Sequence, residues 1–238
     1  MPLRVEQRGP VALLTLDEPS KRNALGAEMV EQIIAAVHAA EADDEVGALV
    51  VTGAAPAFCS GADRGNLDSL QTSAGGDPDE VRNIYDGFLS VRDCSLPTVA
   101  AVNGAAVGAG FNLALCCDVI LAGESARFAP GFTKIGIHPG GGHTWMLERA
   151  LGPHTAAAIA LFGEILDGTR AVELGLAWRC VADDALLDEA VAMADRVAQL
   201  PRDLAIDLKQ TLREIPWQPN FESAVQTELT RQKKSFGG

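Results

Sequence analysis

The sequence predicts an α/β protein with a helical C-terminal part. Three observations carry this. Short apolar runs bounded by glycine recur through the first half, as strands buried on both faces do. Between them apolar residues return at helical spacing. From His143 onward that spacing holds almost throughout. Strands alternating with helices imply a covered sheet, and the strand-poor remainder implies a helical cap.

The elements follow in order. Residues 5–16 alternate and then thicken in apolar residues around Gly9-Pro10, which predicts a hairpin. A polar loop over 17–23 leads into 25–42, where Met29, Ile33, Ile34 and Val37 fall at helical spacing. Residues 47–53 read as a buried strand. The polar stretch 68–79, with Ser73-Ala74-Gly75-Gly76-Asp77-Pro78 at its centre, reads as mobile, and a helix is predicted over 79–92. Residues 97–104 read as another buried strand, and the small residues of 105–110 are predicted to open a helix ending near Cys117. Two further strands are expected at 119–122 and 126–128. Helices are then predicted at 145–150, 155–162, 169–174, 184–200 and 205–213, with an amphipathic tail over 220–234.

Composition removes several classes of function. Against 32 Asp and Glu stand 19 Lys and Arg, a net charge of −13. A polyanion binder needs clustered cations, so no nucleic-acid partner is expected. No apolar run reaches the ~18 residues of a membrane span. The first residues, Met1-Pro2-Leu3-Arg4-Val5-Glu6, hold no apolar secretion core. Five cysteines are too few and odd in number for a disulfide scaffold. A cytoplasmic protein with free thiols is the expectation. No His, Cys, Asp or Glu spacing points to a metal site.

Two segments crowd small residues where side chains should pack. One is Phe58-Cys59-Ser60-Gly61-Ala62-Asp63; the other is Asn103-Gly104-Ala105-Ala106-Val107-Gly108-Ala109-Gly110. Small residues let a ligand approach the backbone, and a helix N-terminus offers unpaired N–H groups. Two such groups converging on one oxygen form an oxyanion hole. The alternative is tight helix–sheet packing. A phosphate loop is excluded because no Gly-Lys-Ser or Gly-Lys-Thr occurs, and a dinucleotide fingerprint because Gly108-Ala109-Gly110-Phe111-Asn112-Leu113 fails at its last position.

With Ser20-Lys21-Arg22-Asn23-Ala24-Leu25, Ala57 to Asp63, Pro97 to Gly104 continuing through Gly110, Cys117-Asp118 and Leu174-Gly175-Leu176, the chain resembles the crotonase (enoyl-CoA hydratase/isomerase) superfamily. The resemblance implies a spiral of ββα turns with two roughly perpendicular sheets, a core over 1–195 and a helical trimerisation segment over 196–238. It also implies homotrimers or hexamers built as paired trimers, a CoA thioester as substrate or ligand, and no permanently bound cofactor. Carried over, the oxyanion N–H groups are those of Ala62 and Ala109. Lys21, Arg22 and Ala24 fall on the loop that holds the CoA phosphates and adenine. Ser60, Gly61, Asp63, Arg64, Val107 and Gly108 fall along the ligand path.

The sequence departs from this pattern at the acid/base positions. Where the resemblance places two glutamates, this chain has Asn112 and Phe132. Neither can carry a proton near neutral pH, so hydration by that pair is unsupported. The loop 136–143 follows Phe132, and its titratable residues are His138 and His143. Histidine can act as a base in this range, and His138 is the first candidate. A histidine in a Gly-rich loop also serves as an exposed or hydrogen-bonding residue. The expected function is an acyl-CoA enzyme passing through a thioester enolate or oxyanion. The alternatives are an acyl-CoA-binding protein without turnover, a structural partner in a mixed trimer, or another acyl-CoA reaction such as hydrolysis, isomerisation or decarboxylation.

Overall fold

The Gly9-Pro10 turn does what its sequence predicts. β1 (Leu3–Arg8) and β2 (Val11–Leu16) pair antiparallel, from Leu3 opposite Leu16 to Arg8 opposite Val11. The structure, a computed structural model, describes residues 1–63 and 78–236. Most of the polar stretch over 68–79 and Arg64 therefore lie outside the described residues. Beyond the hairpin the strands run parallel: β3 (Ala48–Gly53) on β2, β5 (Thr98–Val102) on β3, β7 (Val119–Gly123) on β5 and β10 (Arg179–Val181) on β7. The order in this six-stranded sheet is β1-β2-β3-β5-β7-β10.

A second sheet has the order β4-β6-β8-β9, from β4 (Ala57–Cys59), β6 (Ala105–Val107), β8 (Arg127–Ala129) and β9 (Leu166–Asp167). Its first three strands are parallel and β9 is antiparallel to β8. The chain thus passes from the large sheet to the small one three times, through β3 and β4, β5 and β6, β7 and β8. That alternation is the repeating turn of the fold.

The helices are α1 (Ala27–Ala42), α2 (Pro78–Asp93), α3 (Ala109–Cys116), α4 (His143–Ala160), α5 (Gly168–Glu173), α6 (Leu186–Ala198), α7 (Arg202–Glu214) and α8 (Phe221–Ser235). None is long and apolar enough to cross a membrane. Segment 105–110 departs from its expectation: it begins with β6, and the helix starts only at Ala109. Two or three small residues are too short to show a strand period, and β6 is a strand because β4 and β8 flank it. The same brevity hid β4, β9 and β10. The helices expected at 145–150 and 155–162 form one element bent at Gly152 (φ 75°, ψ 167°), ahead of Pro153.

Burial on both faces explains the continuous apolar runs. Leu13, Val50, Ala101 and Leu121 face Leu186, Ala190 and Ala194 of α6, which recur every fourth residue and so share one helix face. Leu14, Val51, Ala100 and Ala122 belong to the opposite face, whose core includes Met29, Ile33 and Val37 of α1 at the same spacing. Asp118 ties the sheet to the helical cap. It accepts from the Thr98 N–H and hydroxyl at 2.8 and 3.0 Å and pairs with Lys209 Nζ at 2.7 Å. That ammonium, buried beside α2's exit, also donates to the Leu96 carbonyl at 2.6 Å.

Candidate active site

Three segments meet at the mouth of the spiral. Asn23 holds the first. It is fully buried with a left-handed φ of 58°, its Nδ2 donating to the Ala54 and Ala57 carbonyls at 2.8 and 2.7 Å. Its Oδ1 accepts from the Glu18 N–H at 3.0 Å, so the loop before α1 is pinned to the start of β4. Ser60 continues the seam, its hydroxyl donating to the Lys21 carbonyl at 3.0 Å and its N–H to the Arg22 carbonyl at 3.0 Å. Leu25 then bridges Ala62: Leu25 N–H donates to Gly61 and Asp63 N–H donates to Leu25. In a parallel bridge of this register the amide of Ala62 faces the other way.

The second and third segments approach through glycines. Gly61, at φ +101°, has no Cβ because one would lie 2.8 Å from the Val107 carbonyl oxygen and 3.7 Å from the Ala109 nitrogen. Gly110 sits so close to β4 that a Cβ there would be 2.1 Å from the Cys59 carbonyl oxygen. The β4 exit and the N-terminus of α3 are therefore in backbone contact. Ala109 is the first residue of α3, whose leading N–H groups have no partner within the helix. Neither the Ala62 nor the Ala109 N–H donates to an acceptor among the described residues. Ala109 needs no left-handed backbone; among the described non-glycine residues only Arg22 and Asn23 adopt one.

The charges nearby are partly spent. Lys21 Nζ pairs with Asp63 at 3.0 Å and Glu18 at 3.3 Å. Its hydrogen bond to Asp63 and then that to Glu18 raise its pKa above the ordinary lysine value. Arg22 is exposed and has no ion pair among the described residues, whereas Ala24 is buried. Val107 is half-buried and Gly108 buried.

The acid/base positions converge on a different residue from the one the sequence favoured. His138 is exposed, its Nδ1 2.7 Å from the adjacent Pro139 carbonyl oxygen. His143 is buried at 1% exposure. Its Nδ1 lies 2.7 Å from Oδ1 of Asn112, and its ring contacts Phe132 at 5.1 Å and, edge-on, Phe111 at 5.4 Å between centroids. Burial pushes the imidazole down to about 4. The Asn112 Nδ2 donates to the Gly140 carbonyl at 3.0 Å. Sequence spacing gave little hint of this pairing, because 31 residues separate its members. Asn23 carried a fainter signal, as a residue type suited to a left-handed turn. Burial raises the Cys59 and Cys116 thiols to about 12 and Cys94 to about 11, which makes these three poor nucleophiles.

Comparison with known proteins bears on this arrangement. Residues 6–236 match the sequence model described as enoyl-CoA hydratase/isomerase. A Mycobacterium tuberculosis protein named a probable enoyl-CoA hydratase is 52% identical over 205 residues, 85% of this chain and 78% of the relative. One from Rhodobacter capsulatus with the same name is 38% identical over 95% of this chain and 89% of its own. Among solved structures, an enoyl-CoA hydratase from Polaromonas superimposes with a TM-score of 0.90 at 30% identity, covering 98% of this chain and 90% of that one. A Geobacillus kaustophilus enoyl-CoA hydratase subunit reaches 0.90 at 31% identity, over 100% and 91%. The chain therefore belongs to the enoyl-CoA hydratase/isomerase family and has the crotonase fold.

Proposed function

We propose that this protein is an acyl-CoA enzyme that holds a thioester oxygen between the N–H groups of Ala62 and Ala109. The observation that carries this is the pair of unspent amides on two segments in backbone contact, one of them at a helix N-terminus. Negative charge gathering on the oxygen of an enolate or tetrahedral adduct would meet both donors and the positive end of α3. The names of the relatives point to the same substrate class. Arg22 is the cation placed to meet CoA phosphates at short range, since Lys21 is held by Asp63 and Glu18. With a net charge of −13, long-range attraction of CoA is not expected.

Hydration by two carboxylates is chemically unsupported, because Asn112 and Phe132 stand where the resemblance places them. An aromatic ring there favours an apolar or aromatic acyl group. The second reading is a cytoplasmic protein that binds acyl-CoA without turning it over. A panel of crotonyl-, octanoyl- and phenylacetyl-CoA, followed by calorimetry and by mass, separates the two. Binding with a mass change or rearranged product selects the enzyme, and binding alone selects the sequestering protein. A chain that binds no thioester contradicts both.

A further inference from the structure

We infer that Tyr85 of α2 sets which acyl group this pocket takes. Its hydroxyl fills the space of the side chain that Gly140 lacks and donates to a second oxygen on the acyl group. The pocket thereby selects oxoacyl thioesters over plain alkanoyl ones. This rests on the acyl-CoA reading above.

Glycines at 140 and 141 let α2 reach the turn before α4. A Cβ on Gly140 would lie 2.0 Å from the Tyr85 hydroxyl oxygen and 3.0 Å from its Cζ, so the phenol occupies that space itself. Phe88, three residues on and so on the same face of α2, does the same at Gly141. A Cβ there would lie 2.4 Å from the Phe88 Cζ, and the two rings are 5.6 Å apart between centroids. Asn112 approaches from α3, donating to the Gly140 carbonyl at 3.0 Å. Its Nδ2 is also 3.2 Å from where a Gly141 Cβ would be. Asn112 comes one helical turn after Ala109 and shares its face of α3, which sets this corner beside the proposed oxyanion site.

Of the polar groups at this corner, the phenol is the one left to meet a ligand. Asn112 is spent on Gly140 and His143. Nε2 of His143 has no partner but is closed off from solvent, and His138 turns its Nδ1 to the Pro139 carbonyl. Tyr85 is half-buried, and its hydroxyl neither makes a hydrogen bond among the described residues nor is enclosed as that nitrogen is. Burial raises its pKa above the ordinary tyrosine value, so at neutral pH it is an uncharged donor. Phe88 and Phe132, the rings nearest Asn112 and His143, offer only apolar surface. A single donor in such surroundings fixes the orientation of what binds. A site built around a hydrogen bond also rejects analogues that lack the matching group, because its own polar atom is then left unpaired.

The test is calorimetry of the full chain with hexanoyl-CoA and its 3-oxo, 4-oxo and 5-oxo derivatives. At least one oxo derivative should bind wild type about tenfold tighter than hexanoyl-CoA, the scale of one hydrogen bond. Tyr85→Phe should lose that advantage while keeping its affinity for hexanoyl-CoA. Gly140→Ala should lose it too, since the added methyl displaces the phenol and Gly140 has no left-handed backbone to strain. Equal affinities across the panel on wild type, or an advantage that survives in either variant, overturn the inference while sparing the acyl-CoA reading. Failure of every thioester to bind wild type overturns both. Tyr85 is the chain's only tyrosine, so carbon-13 at its Cζ gives one assigned resonance in wild type, whatever the folding of the variants. That signal should move further with an oxo derivative than with hexanoyl-CoA, and equal movement across the panel overturns the assignment.

Discussion

Gly110 shows how little freedom single positions have. Its missing Cβ would sit 2.1 Å from a backbone oxygen of β4, which cannot swing aside as a side chain could. Gly110→Ala should therefore cost about 3 kcal/mol, the upper end for overpacking, read from the urea midpoint. A midpoint equal to wild type would mean the two segments can separate freely. His143 gives a second prediction. Below pH 6.5 the unfolded chain protonates this histidine while the folded chain does not until about 4. Stability is therefore fullest above 6.5 and falls on acidification by about 3 kcal/mol. Urea titrations of wild type and His143→Gln across pH 4–7 should differ by that slope; parallel curves would contradict it. Of these residues, Asn112 and Phe132 were legible in the sequence as departures. His143 was legible only as a titratable residue of its loop; its burial and its pairing with Asn112 were not, because its environment is assembled from α3 and the turn after β8, which only folding brings together.

At the scale of elements, legibility followed length. The hairpin, β3, β5, β7 and the long helices carry enough residues to show a period, and their spans were readable. β4, β6, β9 and β10 have two or three residues each and exist through pairing to neighbours distant in sequence. The bend at Gly152 was also hidden, since a kinked helix and two helices share one spacing. Asp118 joins these levels, for it gathers Thr98 at the start of β5 and Lys209 of α7 on one carboxylate. Asp118→Ala would leave the Lys209 ammonium, 5% exposed, with the Leu96 carbonyl alone. Lys209 is buried but Asp118 is partly exposed, so the expected loss is about 2 kcal/mol, between the scales for exposed and buried ion pairs, measured by denaturant unfolding. A loss too small to resolve would show that Lys209 finds water instead.

For the whole molecule, the surface is informative where it is apolar. Leu208 and Leu212 of α7 and Phe221 and Val225 of α8 are exposed, with Phe221 at 84%. Exposed apolar side chains on both C-terminal helices are what the trimer or pair of trimers implied by the resemblance would cover. Sedimentation at micromolar concentration should give three or six times the chain mass, and a monomer would contradict it. The family and its spiral were readable from ordered motifs. The identity of the acid/base group was not, because a resemblance says where glutamates belong and is silent on what replaces them. The central claim is that two main-chain amides grip one thioester oxygen. Proline suits the first position of a helix and has no N–H, so Ala109→Pro removes one donor while keeping α3. The direct measurement is the infrared carbonyl stretch of carbon-13-labelled hexanoyl-CoA, free and bound. It should fall in frequency on binding to wild type and fall less on binding to Ala109→Pro; a bound carbonyl that keeps its solution frequency contradicts the account.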